Sequence, residues 1–399
     1  MSTAVMTHRL EFHSLADAAL KNATRFWFIV ALLGQFAFAF SVATFYGMTA
    51  LHGNLQAWNK ILFRGYTSGD TMGNSALIGH ILFATVISIA GALQLIPQLR
   101  NRFPAFHRWN GRLFVLAAFT QAITGLYLTF VGKGGPGGAS LHVITGIGAV
   151  LIMICAYMAL RYAVARDFTT HRRWALRLFL AASASWFFRI GFTLTLLLFG
   201  PIGFDTVTFS GPLLVFWSIA QYLLPLSVLE LYFLAQQNPG TLRRLATAGV
   251  MFLLTLAMGA GIVGVAMGTW VPHVKAAMDA RKSIIEVLST TIASSGVESA
   301  IKQYQELKAT APATYNFDED ELNTLGYQIL RTNKFPQAIC IFQLNIEAYP
   351  NSANTYDSLG EAYMDAGDKP HAIANYQKSL QLNPKNHNAV AMLQKLSTP

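Results

Sequence analysis

Seven stretches of this chain are apolar almost without interruption: Phe26 to Met48, Leu77 to Ile96, Leu113 to Val131, Leu141 to Tyr162, Trp174 to Leu198, Leu213 to Ala235 and Leu245 to Trp270. Each is close to the ~20 residues a helix needs to cross a hydrocarbon layer. A single water-soluble core does not present such runs, and the composition agrees, at 53% hydrophobic and 12% charged residues with a mean hydropathy of +0.39. The pattern predicts a polytopic bundle of about seven spanning helices. The first run follows a polar start, and no small-residue cleavage site follows it, so it reads as an uncleaved anchor. Glu11 and Asp17 in that start argue against a transit peptide.

The basic residues alternate between faces. Fourteen of them, from Arg9 through Arg100, Arg108, Arg161, Arg172 and Arg244, fall in one set of flanking segments, while Lys60, Arg64 and Lys133 are all that fall in the other. Positive residues stay on the cytoplasmic side, so the expected arrangement is a bacterial inner-membrane protein with a cytoplasmic N-terminus and everything after Trp270 outside. The net charge of +10 is then topological, and no nucleic-acid partner is implied. Cys155 and Cys340 fall in different compartments on this reading and form no internal disulfide; no zinc-ligand spacing is present.

After Trp270 the chain turns polar and repeats itself. Gly326 and Gly360, Ala338 and Ala372, Phe342 and Tyr376, and Pro350 and Pro384 are each separated by 34 residues. That period and those residue types resemble the tetratricopeptide repeat, in which small residues let two antiparallel helices approach and proline ends the second. Ala300, Tyr304 and Pro312 keep the same offsets and suggest an earlier, degenerate copy. The stretch "GYQIL…AICIFQLNIEAYPNSANTYDSLGEAYMDAGD" is also similar to helical tails appended to exported bacterial hydrolases. Such tails bind a protein or peptide partner or pack on their own protein, and they carry no chemistry. The expected organisation is all-α: a cytoplasmic N-terminus at 1–25, a transmembrane domain at 26–270 with a four-helix histidine-bearing core at 76–200, a helical linker or degenerate repeat at 271–316, and tetratricopeptide repeats at 317–399.

Within that core, His80, His107, His142 and His171 stand near the starts of four consecutive spans. In an up-down bundle the second and fourth spans are diagonal, as are the third and fifth. His80 with His142 would then converge at the outer face and His107 with His171 at the inner one. Paired neutral imidazoles close both axial positions of a haem iron and favour electron transfer over oxygen binding. Each histidine has a small residue four positions on, Ala84, Gly111, Ala175 or Gly146, that would leave room for a macrocycle. Arg108, Arg112, Arg172, Arg173 and Arg177 are candidates for its propionates, although cytoplasmic anchoring also accounts for them, and interfacial placement alone accounts for any one histidine. His52 and His273 read as interfacial.

The stretch "GHILFATVISIAGALQLIP…FHRWNGRLFVLAAFTQAITGLYL…LHVITGIGAV…THRRWALR" resembles a family of predicted bacterial membrane proteins. Its histidine layout is similar to that of the di-haem transmembrane cytochromes b reduced by ascorbate or quinol. That resemblance implies two haem b groups, one held by His80 and His142 and one by His107 and His171, with a quinone as a candidate donor.

Arg189 lies inside the fifth run, where an unpaired charge costs about 2.5 to 3.5 kcal/mol. A haem propionate, a ligand carboxylate, or a polar pocket with Gln94, Gln121 or Tyr127 would compensate it, whereas Glu230 sits at the wrong depth. No nucleotide-binding loop, zinc-protease motif or nucleophile elbow is present. The expected function is electron transfer across the bilayer with a partner-docking tail. The alternative is a scaffold, sensor or small-solute transporter without redox chemistry.

Overall fold

The computed structural model describes residues 3–397 apart from 63–64, 133, 135–137, 205–209, 238–239 and 279–280, with the side chains of 3–13 and 60 also outside the description. Arg64 and Lys133 therefore lie outside the described residues, as do the side chains of Arg9 and Lys60. The chain divides into two compact units, Met1–Met48 with Thr67–Met278, and Thr49–Tyr66 with Asp279–Pro399.

The first unit is built from α1 (Thr3–Leu51), α2 (Thr71–Gln94), the short α3 (Pro97–Arg102), α4 (Pro104–Phe130), α5 (Gly138–Val164), α6 (Phe168–Ala182), α7 (Ala184–Phe199), α8 (Pro212–Gln237), α9 (Thr241–Val265) and α10 (Val271–Met278). Starts are set locally. The Asp70 carboxylate accepts the Gly73 amide at 2.9 Å and Asp167 the Thr170 amide at 3.0 Å, satisfying first-turn donors that have no partner in the helix. Proline stands in the first turn of α3 and α4, where its missing N–H costs nothing. Six helices are long and apolar enough to cross a membrane, and α6 with α7 makes a seventh if the pair is one crossing.

That pair corrects one expectation. The run Trp174 to Leu198 reads as one straight span, but the helix breaks at Ser183 and the two pieces meet at 51°. The break lies in "AASAS", where small side chains leave the turn unsupported, and the buried Ser183 hydroxyl has no hydrogen-bond partner. Just beyond it, Trp186 is buried against α1. Its indole N–H donates to the Gly34 carbonyl at 3.3 Å, and a Cβ on Gly34 would come within 2.6 Å of its ring. Similar sockets hold Tyr222 on Gly148 and Trp217 on Gly191. Phe114 and Phe179 converge on Gly91 inside a core that also takes Ile87, Ala117, Cys155 and Leu178. Helices in lipid gain little from apolar burial, so close approach at small residues is what holds such a bundle.

The second unit contains α11 (Ile284–Ser295), α12 (Val297–Thr310), α13 (Glu319–Leu330), α14 (Phe335–Ala348), α15 (Ala353–Asp365), α16 (Lys369–Leu382) and α17 (His387–Ser397). A two-residue parallel pairing, Lys282–Ser283 with Tyr315–Asn316, closes its start. Consecutive helices pack as antiparallel pairs, and the residues spaced by 34 make the contacts. Phe342 lies on Gly326 and Tyr376 on Gly360, with ring atoms 2.5 and 3.1 Å from where a Cβ would stand. One core runs from Ile284 through Leu325 and Phe342 to Ala362. Polar clamps tie successive pairs together: Glu321 accepts the Ser283 hydroxyl at 2.5 Å and the Ile284 amide at 3.0 Å, and Tyr327 donates to Glu361 at 2.6 Å. Burial, with Glu361 alongside, pushes the Tyr327 phenol well above its ordinary pKa. Within this unit the segment Thr49–Tyr66 carries a buried Trp58 whose indole donates to Thr49 at 2.8 Å.

Candidate functional site

The four histidines enter the bundle at different depths. His107 and His171 both lie in the first turns of α4 and α6, three residues from each start. At 1.5 Å per residue each lies about 4.5 Å along its own helix. The His171 imidazole donates through Nδ1 to the Ala159 carbonyl of α5 at 2.9 Å, the only role open to that nitrogen beside a carbonyl, which leaves Nε2 as the acceptor of a neutral ring. The His107 carbonyl accepts from Gln94 of α2 at 2.9 Å, and one turn on Asn110 donates to the Ala90 carbonyl at 2.9 Å. Gln94 thus fixes α4 against α2 at the inner level and plays no part in a pocket with Arg189.

His80 is deeper than its place in the sequence suggests. Because α2 begins at Thr71, it stands nine residues in, about 13 Å along the axis. Its Nδ1 lies 3.1 Å from the Thr124 hydroxyl of α4. That hydroxyl also reaches the Thr120 carbonyl at 2.8 Å, and the His80 tautomer sets which of the two groups donates. The ring rests against Gly125, where a Cβ would come within 3.3 Å of it. The expected small residues four positions on do something else: Gly111 faces the Gln94 side chain and Gly146 faces Phe130. The cradle sits on the neighbouring helix, where spacing along the histidine's own helix does not reveal it.

His142 lies only four residues into α5, with its ring edge-on to Phe130 at 6.1 Å. Both outer histidines therefore pack on α4, but at Thr124 and at Phe130, six residues or about 9 Å apart along that helix. Two nitrogens on one iron stand only about 4 Å apart, each at roughly 2 Å. His80 and His142 thus meet α4 at different levels, while His107 and His171 stand at matching positions in their own helices.

The arginines are mostly committed. Arg177 pairs with Glu230 at 2.7 Å and lies over the Trp174 and Phe233 rings, Arg173 lies over Phe233, and Arg112 stacks on Trp109. Arg108 and Arg172 are exposed and adjacent in sequence to His107 and His171. Arg189 donates to the Ser185 carbonyl of its own helix at 2.9 Å and lies over the Phe38 ring. Sequence reasoning missed Thr124, Gly125 and the Ala159 carbonyl, since each belongs to a different helix from the histidine it serves. Among the described residues no cluster of three or more metal-binding side chains occurs.

Fold and site together define a polytopic helical membrane protein with a tetratricopeptide-like tail. In agreement, a profile of the family described as "Predicted membrane protein (DUF2306)" matches residues 77–221, and the tetratricopeptide repeat profile matches residues 353–386. No curated protein matches the chain.

Proposed function

We propose that the membrane unit is an electron-transfer module in which His107 and His171 hold one haem b. The observation that supports this reading is the matching place of the two imidazoles in the first turns of α4 and α6, with the His171 Nδ1–H spent on Ala159 so that the neutral ring would offer Nε2 to iron. Metal-ligating histidines are oriented by such bonds through the other ring nitrogen. An iron with both axial positions taken by imidazole supplies reversible one-electron transfer and offers no open position for oxygen. The chain's own residues do the positioning: Gln94 and Asn110 lock α4 to α2, Ala159 orients His171, and Arg108 and Arg172 would pair with the carboxylates of the bound group. The basic residues support an orientation in which this level is cytoplasmic, the tail is exported, and the host membrane is the bacterial inner membrane. The donor is then a cytoplasmic reductant or a quinol, and the tail docks a protein partner.

The visible spectrum of the purified protein tests the reading. Reducible low-spin b-type bands are expected, lost in His107→Ala and in His171→Ala and retained in His80→Ala and His142→Ala. Loss in all four variants would restore the two-haem arrangement. A colourless protein from haem-replete cells would end the redox reading and leave a membrane scaffold, sensor or solute transporter acting through its repeats.

A further inference from the structure

Arg189 stands five residues into α7, inside the apolar part of the bundle, and it is the one described basic side chain there that faces no carboxylate. The described acidic groups of the membrane unit are engaged at its edges: Asp17 with Arg244, Glu230 with Arg177, Asp70 and Asp167 with first-turn amides. Arg189 spends one N–H on Ser185 and lays its plane on Phe38, which leaves most of its five donors unused. The polar groups electrostatically coupled to it are the Tyr46 phenol of α1 and the His80 imidazole of α2. Neither carries a compensating negative charge at neutral pH. The site is not sealed. Arg189 is only half-buried, Ser185 one turn earlier is exposed, and the stacked rings of Phe188 and Phe192, 5.3 Å apart, continue the same face.

An uncompensated guanidinium in hydrocarbon is costly, and a planar fork of donors matches a carboxylate. We propose that Arg189 is a carboxylate-binding site that takes the head group of an amphiphile entering from the lipid side along Phe188 and Phe192. The proposal is independent of the haem at His107 and His171. A haem propionate offers the same chemistry, and so the two sources are separated by experiment.

The full-length protein, prepared from haem-depleted cells and reconstituted in lipid nanodiscs, is titrated with 9,10-dibromostearic acid while tryptophan fluorescence is followed. Trp186 lies three residues from Arg189 and reports a bromine nearby. Saturable quenching is expected for the acid and not for its methyl ester, with apparent affinity about tenfold or more weaker in Arg189→Gln and partly recovered in Arg189→Lys. A haem-replete preparation that no longer takes up the acid, while Arg189→Gln shifts its haem potential, would assign the carboxylate to haem and overturn the amphiphile. Equal quenching by acid and ester in the haem-depleted wild type would overturn the site. So would acid binding that is unchanged in Arg189→Gln. The haem bands are read separately, so either proposal fails without the other.

Discussion

In the membrane unit, Trp186, Tyr222 and Trp217 seat on Gly34, Gly148 and Gly191; in the repeat unit, Phe342 and Tyr376 seat on Gly326 and Gly360. The sockets are alike and their surroundings are not. Around the membrane sockets, side-chain donors reach the backbone of the next helix: Trp186 to Gly34, Asn110 to Ala90, Gln94 to His107, His171 to Ala159. Around the repeat sockets, carboxylates take part, with Tyr327 on Glu361, Ser283 on Glu321, and Asn386 and Asn388 on Asp357 at 2.9 and 2.8 Å. Next to water a carboxylate can be solvated until the fold closes over it. In lipid it has no such intermediate, and neutral donors on backbone carbonyls replace it.

The sharpest way to break the comparison is to fill a socket in each unit. Gly326→Leu drives a side chain into Phe342 and should cost the tail about 3 kcal/mol or more, seen as selective proteolysis of the tail in the intact protein. Gly191→Leu meets Trp217 as closely, yet the span remains inserted, and the expected change is a displaced Trp217 emission with the protein still folded. Equal loss of both units would show that one packing force governs them. Next comes the carboxylate network. Tyr327→Phe leaves Glu361 without its phenol donor and should cost about 1 to 3 kcal/mol in a chemical melt of the tail. The matching change in the membrane, Trp186→Phe, removes one bond to Gly34 and should cost only about 0.6 kcal/mol in a denaturing-detergent titration.

The smallest effect is in acid. Burial raises the Asp357 carboxyl above its ordinary pKa despite the amides of Asn388 and Asn386. The folded tail therefore holds that proton more tightly than the unfolded chain, and this group adds stability as pH falls through its folded value. Asp368 is the reverse: the His371 amide, 3.3 Å away, holds it below the ordinary value, so its contribution is present above the unfolded value and lost as pH falls through the folded one. Melts of Asp357→Asn and Asp368→Asn between about pH 3 and 6 should depart from wild type with opposite slopes. Parallel departures would remove both assignments.

The spans were legible because bilayer thickness fixes run length, and the tail because each 34-residue unit repeats the same glycine and aromatic. The break at Ser183 was not, since "AASAS" keeps the run apolar and only the packing of Trp186 distinguishes a bend from a straight helix. Histidine position along a helix was not legible where further helical residues precede the apolar run: Thr71 to Ala76 are helical, so His80 stands nine residues into α2 and His142 four into α5. The pairing of Arg177 with Glu230 joins residues fifty-three positions apart on different helices, and no periodicity along one helix encodes it.

Segment Thr49–Tyr66 follows the first long helix and shares a fold with residues that follow the last. Two pieces of chain can share a fold only on one side of a bilayer, so the number of crossings between them is even. Five single helices long enough to cross intervene, α2, α4, α5, α8 and α9, and an even count would have the bent pair supply the sixth as a complete passage. In order of synthesis, the segment is made about 200 residues before the helices it joins. The grouping of these segments would then double as an inspection of insertion: a chain whose bent pair fails to cross leaves Thr49–Tyr66 on the opposite side from the tail.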